Sequence, residues 1–487
     1  MPAGLGGSGH AYSGNRSVMR CELANADRDD YARWIAAAFL LYGVLSTALL
    51  AIVMPPFQVP DEPAHFMRAA QIARGELIGM RFPTTAADGS PQMTAGGQLD
   101  SALVGTITPF TKSMPAHPEV RASRTMWEPA VRWSNDLALC AFPNSVIYPP
   151  FFYAPSAIGI LAGRAAGLSI VHTLIVSRML TGSAAVVLGA IAIAISGGAA
   201  AWIFAILTLP MSLSLIASVS SDALCLGCGA MAAALLMRCL RRWTEQSGKL
   251  LIALTAMLGL MAMSRPPYAA LALLPLALTK APWRWRIVSA VAVAACGTIW
   301  WAIAAATTFT GFGDIVDANP AEQLVRLQQD PLLAVRVIWT SLVQYGNSYG
   351  IEFVGQLGWL DTGLPIAYHK AARAMLGLAA VTAALGITGG RISVASRLLI
   401  VAGLLLSTVG IFLSMYLGWT KPGAAIVAGV QGRYFLPLAP AVAALLPALG
   451  TAGFRNLNRA LLIVVVAFPV ISLGVVMHAI VLRYYLG

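Results

Sequence analysis

What this chain lacks most is charge. Only 11% of its 487 residues are Asp, Glu, Lys or Arg, where a soluble domain carries about a quarter. Hydrophobic residues make up 58% and mean hydropathy is +0.74, so a water-soluble globular class is excluded. The run "WIAAAFLLYGVLSTALLAIVM" ending at Met54 holds no charge over a length that crosses a bilayer as a helix. Also missing is the roughly ten-residue alternation that barrel strands need, which leaves spanning helices. No short apolar core with a small-residue cleavage site precedes the first long run, so residues 1–32 are expected to be a disordered cytoplasmic tail, not a cleavable signal. Cysteine is scarce, with six residues. Cys225 and Cys228 form a C-x-x-C, but inside an apolar helix and without His partners, so packing is expected there and not metal or redox chemistry. Only Cys140 falls in a long connection on the far side of the membrane, which argues against a structural disulfide. No tandem repeat and no separate soluble domain is visible. Acid is short too: the formal net charge is +12. The basic surplus sits in short loops between apolar runs, which points to membrane topology and away from nucleic acid.

Apolar spans are predicted at 33–54, 177–197, 199–218, 222–240, 249–263, 266–279, 286–308, 370–388, 396–417, 434–451 and 459–482. Segment 148–170, with internal prolines and Arg164, is either a twelfth span or a re-entrant or interfacial helix. Charge decides between them. With a cytoplasmic N-terminus and no crossing at 148–170, "RCLRRWTEQSGK", "KAPWRWR", "GGRISVASR" and "GFRNLNR" all fall inside. The expected fold is therefore an all-α polytopic membrane domain over 33–487 with about 11 transmembrane helices, 12 if 148–170 crosses. Its large external loops, about 55–176 and 309–369, should carry juxtamembrane amphipathic helices. In "NPAEQLVRL" Asn319 is a helix N-cap with Pro320 and Glu322 behind it, and Asp330–Pro331 starts another helix.

Polar residues then stand out. In "VPDEPAHF", Asp61 or Glu62 can cap a helix that begins at Pro63, and Asp61, His65 and Arg68 share a face opposite Phe66, Ala69, Ala70, Ala73 and Leu77. The plain alternative is a solvated helix whose acids merely cap it. Arg178, Arg265 and Arg433 stand at the outer ends of spans, and Asp222 is an acid at membrane depth, a costly placement. Asp361, Lys421, Gln431 and Tyr434 add to outer loops or span ends. Snorkelling and aromatic belts explain these one at a time. They do not require that all collect on one side, as the charge-derived topology has them. Arginines at an outer mouth suit a phosphate, which their planar fork binds bidentately. A carboxylate beside them can take a proton from an acceptor.

At this point the chain resembles a known group of enzymes. An acidic pair directly after the first span marks the GT-C glycosyltransferase superfamily. "PPFQVPDEPAHF" is similar to the acidic motif of protein O-mannosyltransferases and lipid A aminoarabinose transferases, and "YPPFFYAP" with "SRML" looks like a further segment of the same enzymes. Together with "ASVSSDAL", "LGWLDT" and "QGRYFLPL" they resemble a bacterial family of predicted polytopic membrane proteins of unknown function grouped with GT-C. The resemblance implies Asp61 as catalytic base, Glu62 positioning the acceptor or assisting, and Arg178 and Arg433 binding phosphate. His65, Asp222, Arg265, Asp361, Lys421, Gln431 and Tyr434 complete the expected substrate site. No paired D-x-D exists, so no metal or other cofactor is expected. The implied activity moves a sugar from a polyprenyl-phosphate donor to an envelope glycan, lipid or protein on the external face of a bacterial cytoplasmic membrane. A flippase for a lipid-linked sugar and a non-catalytic subunit of a polysaccharide machine are the rival expectations.

Overall fold

The computed structural model describes residues 10–486 apart from 86–88, 116, 118, 124–130, 242, 245, 312–317, 388–391 and 451–453. The chain is helical from His10 to Val53, so the first helix begins inside the segment expected to be a disordered tail. Seven helices are long and apolar enough to cross a membrane: Asp30–Val53, Ile170–Ile195, Ser221–Arg241, Ser247–Ser264, Trp283–Thr307, Val394–Trp419 and Asn456–Leu486. All fall on expected spans, and Ile366–Gly386 forms a helix where 370–388 was expected.

The other three expected spans are broken, which corrects the picture of about eleven continuous helices. Ala200–Leu207 and Pro210–Ile216 belong to two segments that meet at 79°. Pro266–Ala272 is a 3-10 stretch followed by one short turn, Leu273–Leu276. Gly432–Phe435 and Ala439–Leu445 are separate 3-10 pieces. Each break carries proline: Pro210, Pro266 with Pro267, and Pro437 with Pro440. Proline has no N–H to donate and its ring clashes with the preceding turn. Irregular backbone survives at membrane depth only where protein surrounds it, and Met211, Leu215, Leu271, Leu274, Ala443 and Ala444 are indeed buried.

First and last spans run parallel. Arg459 bonds the Tyr31 hydroxyl near their starts. The Tyr42 hydroxyl donates to the Pro469 carbonyl at 2.8 Å midway, and the Tyr485 hydroxyl to that of Val53 at 2.8 Å at their ends. The ambiguous segment 148–170 holds no helix of spanning length. Its helix, Ala154–Ala165, has 12 residues, about 18 Å, against roughly 30 Å of hydrocarbon. Gly167, at φ 66°, turns the chain back into Ile170–Ile195. Arg164 donates to Asn135 Oδ1 at 2.6 Å and lies over the Trp133 ring, so the helix ends against the same connection it came from.

The molecule has two chemically distinct ends. At one, basic loops gather: Lys280 reaches the Arg241 carbonyl at 3.5 Å, Ser396 Oγ donates to the Ala277 carbonyl at 2.6 Å, and the Arg397 charge faces Arg241. At the other lie the two long connections. The first holds the expected helix after Asp61, Glu62–Ala73, and also builds an antiparallel sheet that was not expected, of Met80–Thr85, Pro91–Asp100 and Leu137–Ala141, in register Phe82↔Thr94 and Gln98↔Leu139. Gly96 allows it, since a Cβ there would overlap the Cys140 carbonyl. Asp100 ties it down by accepting the N–H groups of Ala102, Ser134 and Asn135. In the second connection Asn319 caps Pro320–Gln329 through the Glu322 N–H at 3.1 Å, as its sequence predicts. Asp330 Oδ1 accepts the Leu332 N–H at 3.1 Å in the turn before the next helix, Leu333–Gly355, which starts later than the Asp330–Pro331 signal predicts and runs for 23 residues.

Candidate functional site

The segment 55–62 leaves the first span in a strained path. Phe57 and Asp61 both have positive φ, 61° and 62°. Non-glycine residues rarely hold this conformation, and where they do the strain clusters at functional sites. Trp359 Nε1 donates to the Phe57 carbonyl at 3.0 Å and fixes the first kink. Asp61 is the N-cap of the Glu62–Ala73 helix, yet its side chain makes no capping bond. The capping alternative for this acid therefore fails. Its carboxylate instead accepts Arg433 Nη2 at 2.7 Å and Asn144 Nδ2 at 3.4 Å.

Around this pair the chain collects most of the expected residues. Arg433 is 2% exposed and also donates through Nε to Gln431 at 2.6 Å. Its Nη1 lies 3.8 Å from Asp222, which accepts Arg265 Nη2 at 2.6 Å. Tyr434 sits among the cations, with Arg265 4.3 Å and Arg433 5.4 Å from its ring centre. Such contacts hold a guanidinium face without neutralising it. His65 Nδ1 meets the Tyr153 hydroxyl at 2.6 Å and its ring stacks on Tyr148. Burial pushes the His65 imidazole down to about 4, against the pull of Asp61 and Asp222. It is neutral at pH 7. The result is an alternating string of carboxylates and guanidiniums, Asp61–Arg433–Asp222–Arg265. Asp61, at 39% side-chain exposure, and Arg265, at 16%, are its most open members.

Other expected site residues are placed differently. Glu62 and Arg178 have no exposed side-chain surface. Arg178 spends every donor: Nε and Nη2 on Glu62 at 2.8 and 2.5 Å, Nη1 on the Ala51 and Met54 carbonyls, and Nη2 on that of Pro55. Glu62 also accepts the Val219 N–H at 3.1 Å. No group remains for an acceptor or a phosphate, so this pair is a buried clasp between the first span's exit and two later segments. Asp361 pairs with Arg483 at 2.7 Å. Arg483 Nη1 and Nη2 also reach the Val120 and Met114 carbonyls, and the Ala122 N–H donates to that of Tyr484, so Leu482–Leu486 bolts the two long connections together. Lys421 is exposed on the turn after Trp419. Arg68, expected on a polar helix face, is fully buried and bonds Gln71 and the Leu77 and Tyr148 carbonyls, while Leu77 lies beyond the helix and is exposed. Asn144, Tyr148, Tyr153 and Glu352 belong to the surroundings of the site but carry no span-end signal by which the sequence marks them. Among the described residues no three His, Cys, Asp or Glu side chains come together as a cation site would need.

These features define a polytopic helical membrane protein with a partly open charged cluster at one end of the helix bundle. The chain belongs to the family described as "Predicted membrane protein (DUF2142)", whose model matches residues 44–442. No curated protein and no solved structure matches it.

Proposed function

We propose that this protein is a membrane glycosyltransferase of GT-C type. It takes a sugar from a polyprenyl-phosphate donor and passes it to an envelope acceptor at the outer face of a bacterial cytoplasmic membrane. The observation that carries this reading is Asp61: an accessible carboxylate on strained backbone, aimed by a buried arginine instead of capping its helix. The acceptor hydroxyl gives its proton to Asp61 as its oxygen attacks the anomeric carbon. The bond from that carbon to the phosphate oxygen breaks, and its electron pair leaves with the lipid phosphate. Arg265 faces that developing charge, because it is more open than Arg433 and has one described hydrogen bond. Arg433 aims the base. The three broken spans are also what a transporter of lipid-linked sugars would use. The charges favour transfer, because Asp222, Arg265 and Arg433 stand at helix ends beside Asp61 and not midway along a span.

Arg265→Ala should weaken binding of a polyprenyl-phosphate analogue by roughly tenfold to a hundredfold, the worth of one ionic hydrogen bond. Arg265→Lys should restore part of it, since charge returns without the fork. Equal affinity of purified Arg265→Ala and wild type would remove Arg265 from the phosphate site. The orientation is tested separately. A cysteine at exposed Gln328 should react with an impermeant thiol reagent in intact cells, and one at exposed Gln246, in a basic loop, should not. Labelling of Gln246→Cys from outside would put the site on the cytoplasmic face.

A further inference from the structure

The Gln431–Tyr434 turn is pressed onto the end of the Leu333–Gly355 helix. A Cβ on Gly432 would overlap the Tyr349 carbonyl oxygen and stand 2.5 Å from Phe353 N. Glycine alone lets the turn approach this closely. Glu352 closes the contact, its Oε2 accepting the Gly432 N–H at 2.7 Å. The next residue is Arg433, whose guanidinium donates hydrogen bonds to Gln431 Oε1 and Asp61 Oδ2. A continuous chain of contacts thus leads from the second long connection to the carboxylate at the opening. Its links are Glu352 to the Gly432 N–H, through one peptide to Arg433, and from Arg433 to Asp61. Arg433 is long and flexible by nature, so the direction of its fork depends on where its own backbone is held. The Gly432 N–H, one peptide before it, is the nearest handle on that backbone. Buried as it is, that N–H would be costly to leave unmatched.

We infer that Glu352 is a positioning residue for Asp61, acting through the Gly432 N–H and Arg433. This rests on the reading of Asp61 as the reactive carboxylate. Asp61 faces Arg433 and Asn144 through hydrogen bonds, Asp222 through charge, and His65, which carries charge only in the low pH range where both groups titrate. Burial raises its carboxyl, but the Arg433 charge and hydrogen bond and His65 outweigh that and hold it below its usual range. If Glu352 lets go of the turn, Arg433 loosens and that hold weakens.

The test is the titration of Asp61 in the purified full chain, followed by infrared difference spectroscopy with Asp61→Asn as the blank. Glu352→Ala should move the Asp61 midpoint upward by about one unit, the low end of what an adjacent opposite charge contributes. Glu352→Gln should leave it in place, because the amide oxygen still accepts the N–H. Glu352→Asp, one methylene shorter, should shift it as Glu352→Ala does, and it serves if the alanine variant does not fold. An unmoved midpoint in Glu352→Ala or Glu352→Asp overturns the inference. So does a shift in Glu352→Gln as large as in Glu352→Ala, since that would reflect lost charge and not a lost N–H contact. The measurement needs no substrate, so a chain that transfers no sugar would sink the transferase reading while the positioning role is still decided.

Discussion

Asp61→Asn is expected to fold, to bind donor nearly as wild type does, and to transfer sugar about 10²–10⁴-fold more slowly, the range for loss of one general base. The amide is almost isosteric and keeps an oxygen for Arg433, and Asp61 is open enough that Arg433 retains Gln431 and Asp222 as neighbours. A group that acts only in the transition state alters turnover more than affinity. Single-turnover transfer from a short-chain lipid-phosphate sugar, beside thermal melts, separates these effects. Near-normal transfer would end the base assignment. The pH profile adds a second check on the same residue. With its carboxyl held down by Arg433 and His65 against burial, Asp61 stays ionised below the ordinary carboxylate value of about 4. The acid limb of turnover should fall in that lower range. The sign for stability is the same: a depressed carboxyl contributes above its unfolded value, and the contribution is lost as pH falls through the folded one.

Arg178→Ala should act on the fold and not on the donor. It leaves the Glu62 carboxylate fully buried with only the Val219 N–H, and strips donors from three carbonyls at the exit of the first span. Removing one partner of such a buried pair costs about 3–5 kcal/mol, enough to take a marginal membrane domain out of its native state. Glu62→Gln should cost less, since the amide still accepts from Arg178. Denaturation in detergent, with and without a donor analogue, reads this directly. A fully stable Arg178→Ala protein that bound donor weakly would restore the arginine to the phosphate site.

The two arginines show where the sequence stops being informative. Arg178 and Arg433 look alike in it, each a cation at the outer end of an apolar run. Burial at a span end tells that an arginine needs partners; it does not tell which. Arg178 found Glu62 and three carbonyls, and Arg433 found the neighbouring residue Asp61. Adjacent acids thus have opposite fates, because successive residues around a helix start point in different directions. The gathering itself was legible, because Asp61, His65, Asp222, Arg265 and Arg433 all follow from span parity and loop charge. The cap at Asn319 was legible because a side-chain oxygen and a proline act within one turn. The sheet was not. "PQMTAGGQLD" carries a proline, two glycines and few β-branched residues, and it pairs through backbone that composition does not reveal. Nor were the three broken spans, whose hydropathy is that of a continuous helix and whose prolines also occur at the starts of unbroken ones.

The bolt formed by Leu482–Leu486 has a consequence for the order in which the protein is built. Arg483 meets Met114 and Val120 across 369 and 363 residues of chain, and Arg433 meets Asp61 across 372. During synthesis the segment after the first span is delivered early, but none of these contacts can form until Arg433 and Arg483 have followed it. The nascent chain must therefore carry a half-finished connection, with the Asp61 carboxylate unaimed, through the insertion of the spans that precede Arg433. A charged cluster that closes only when Arg433 arrives is absent from every shorter product.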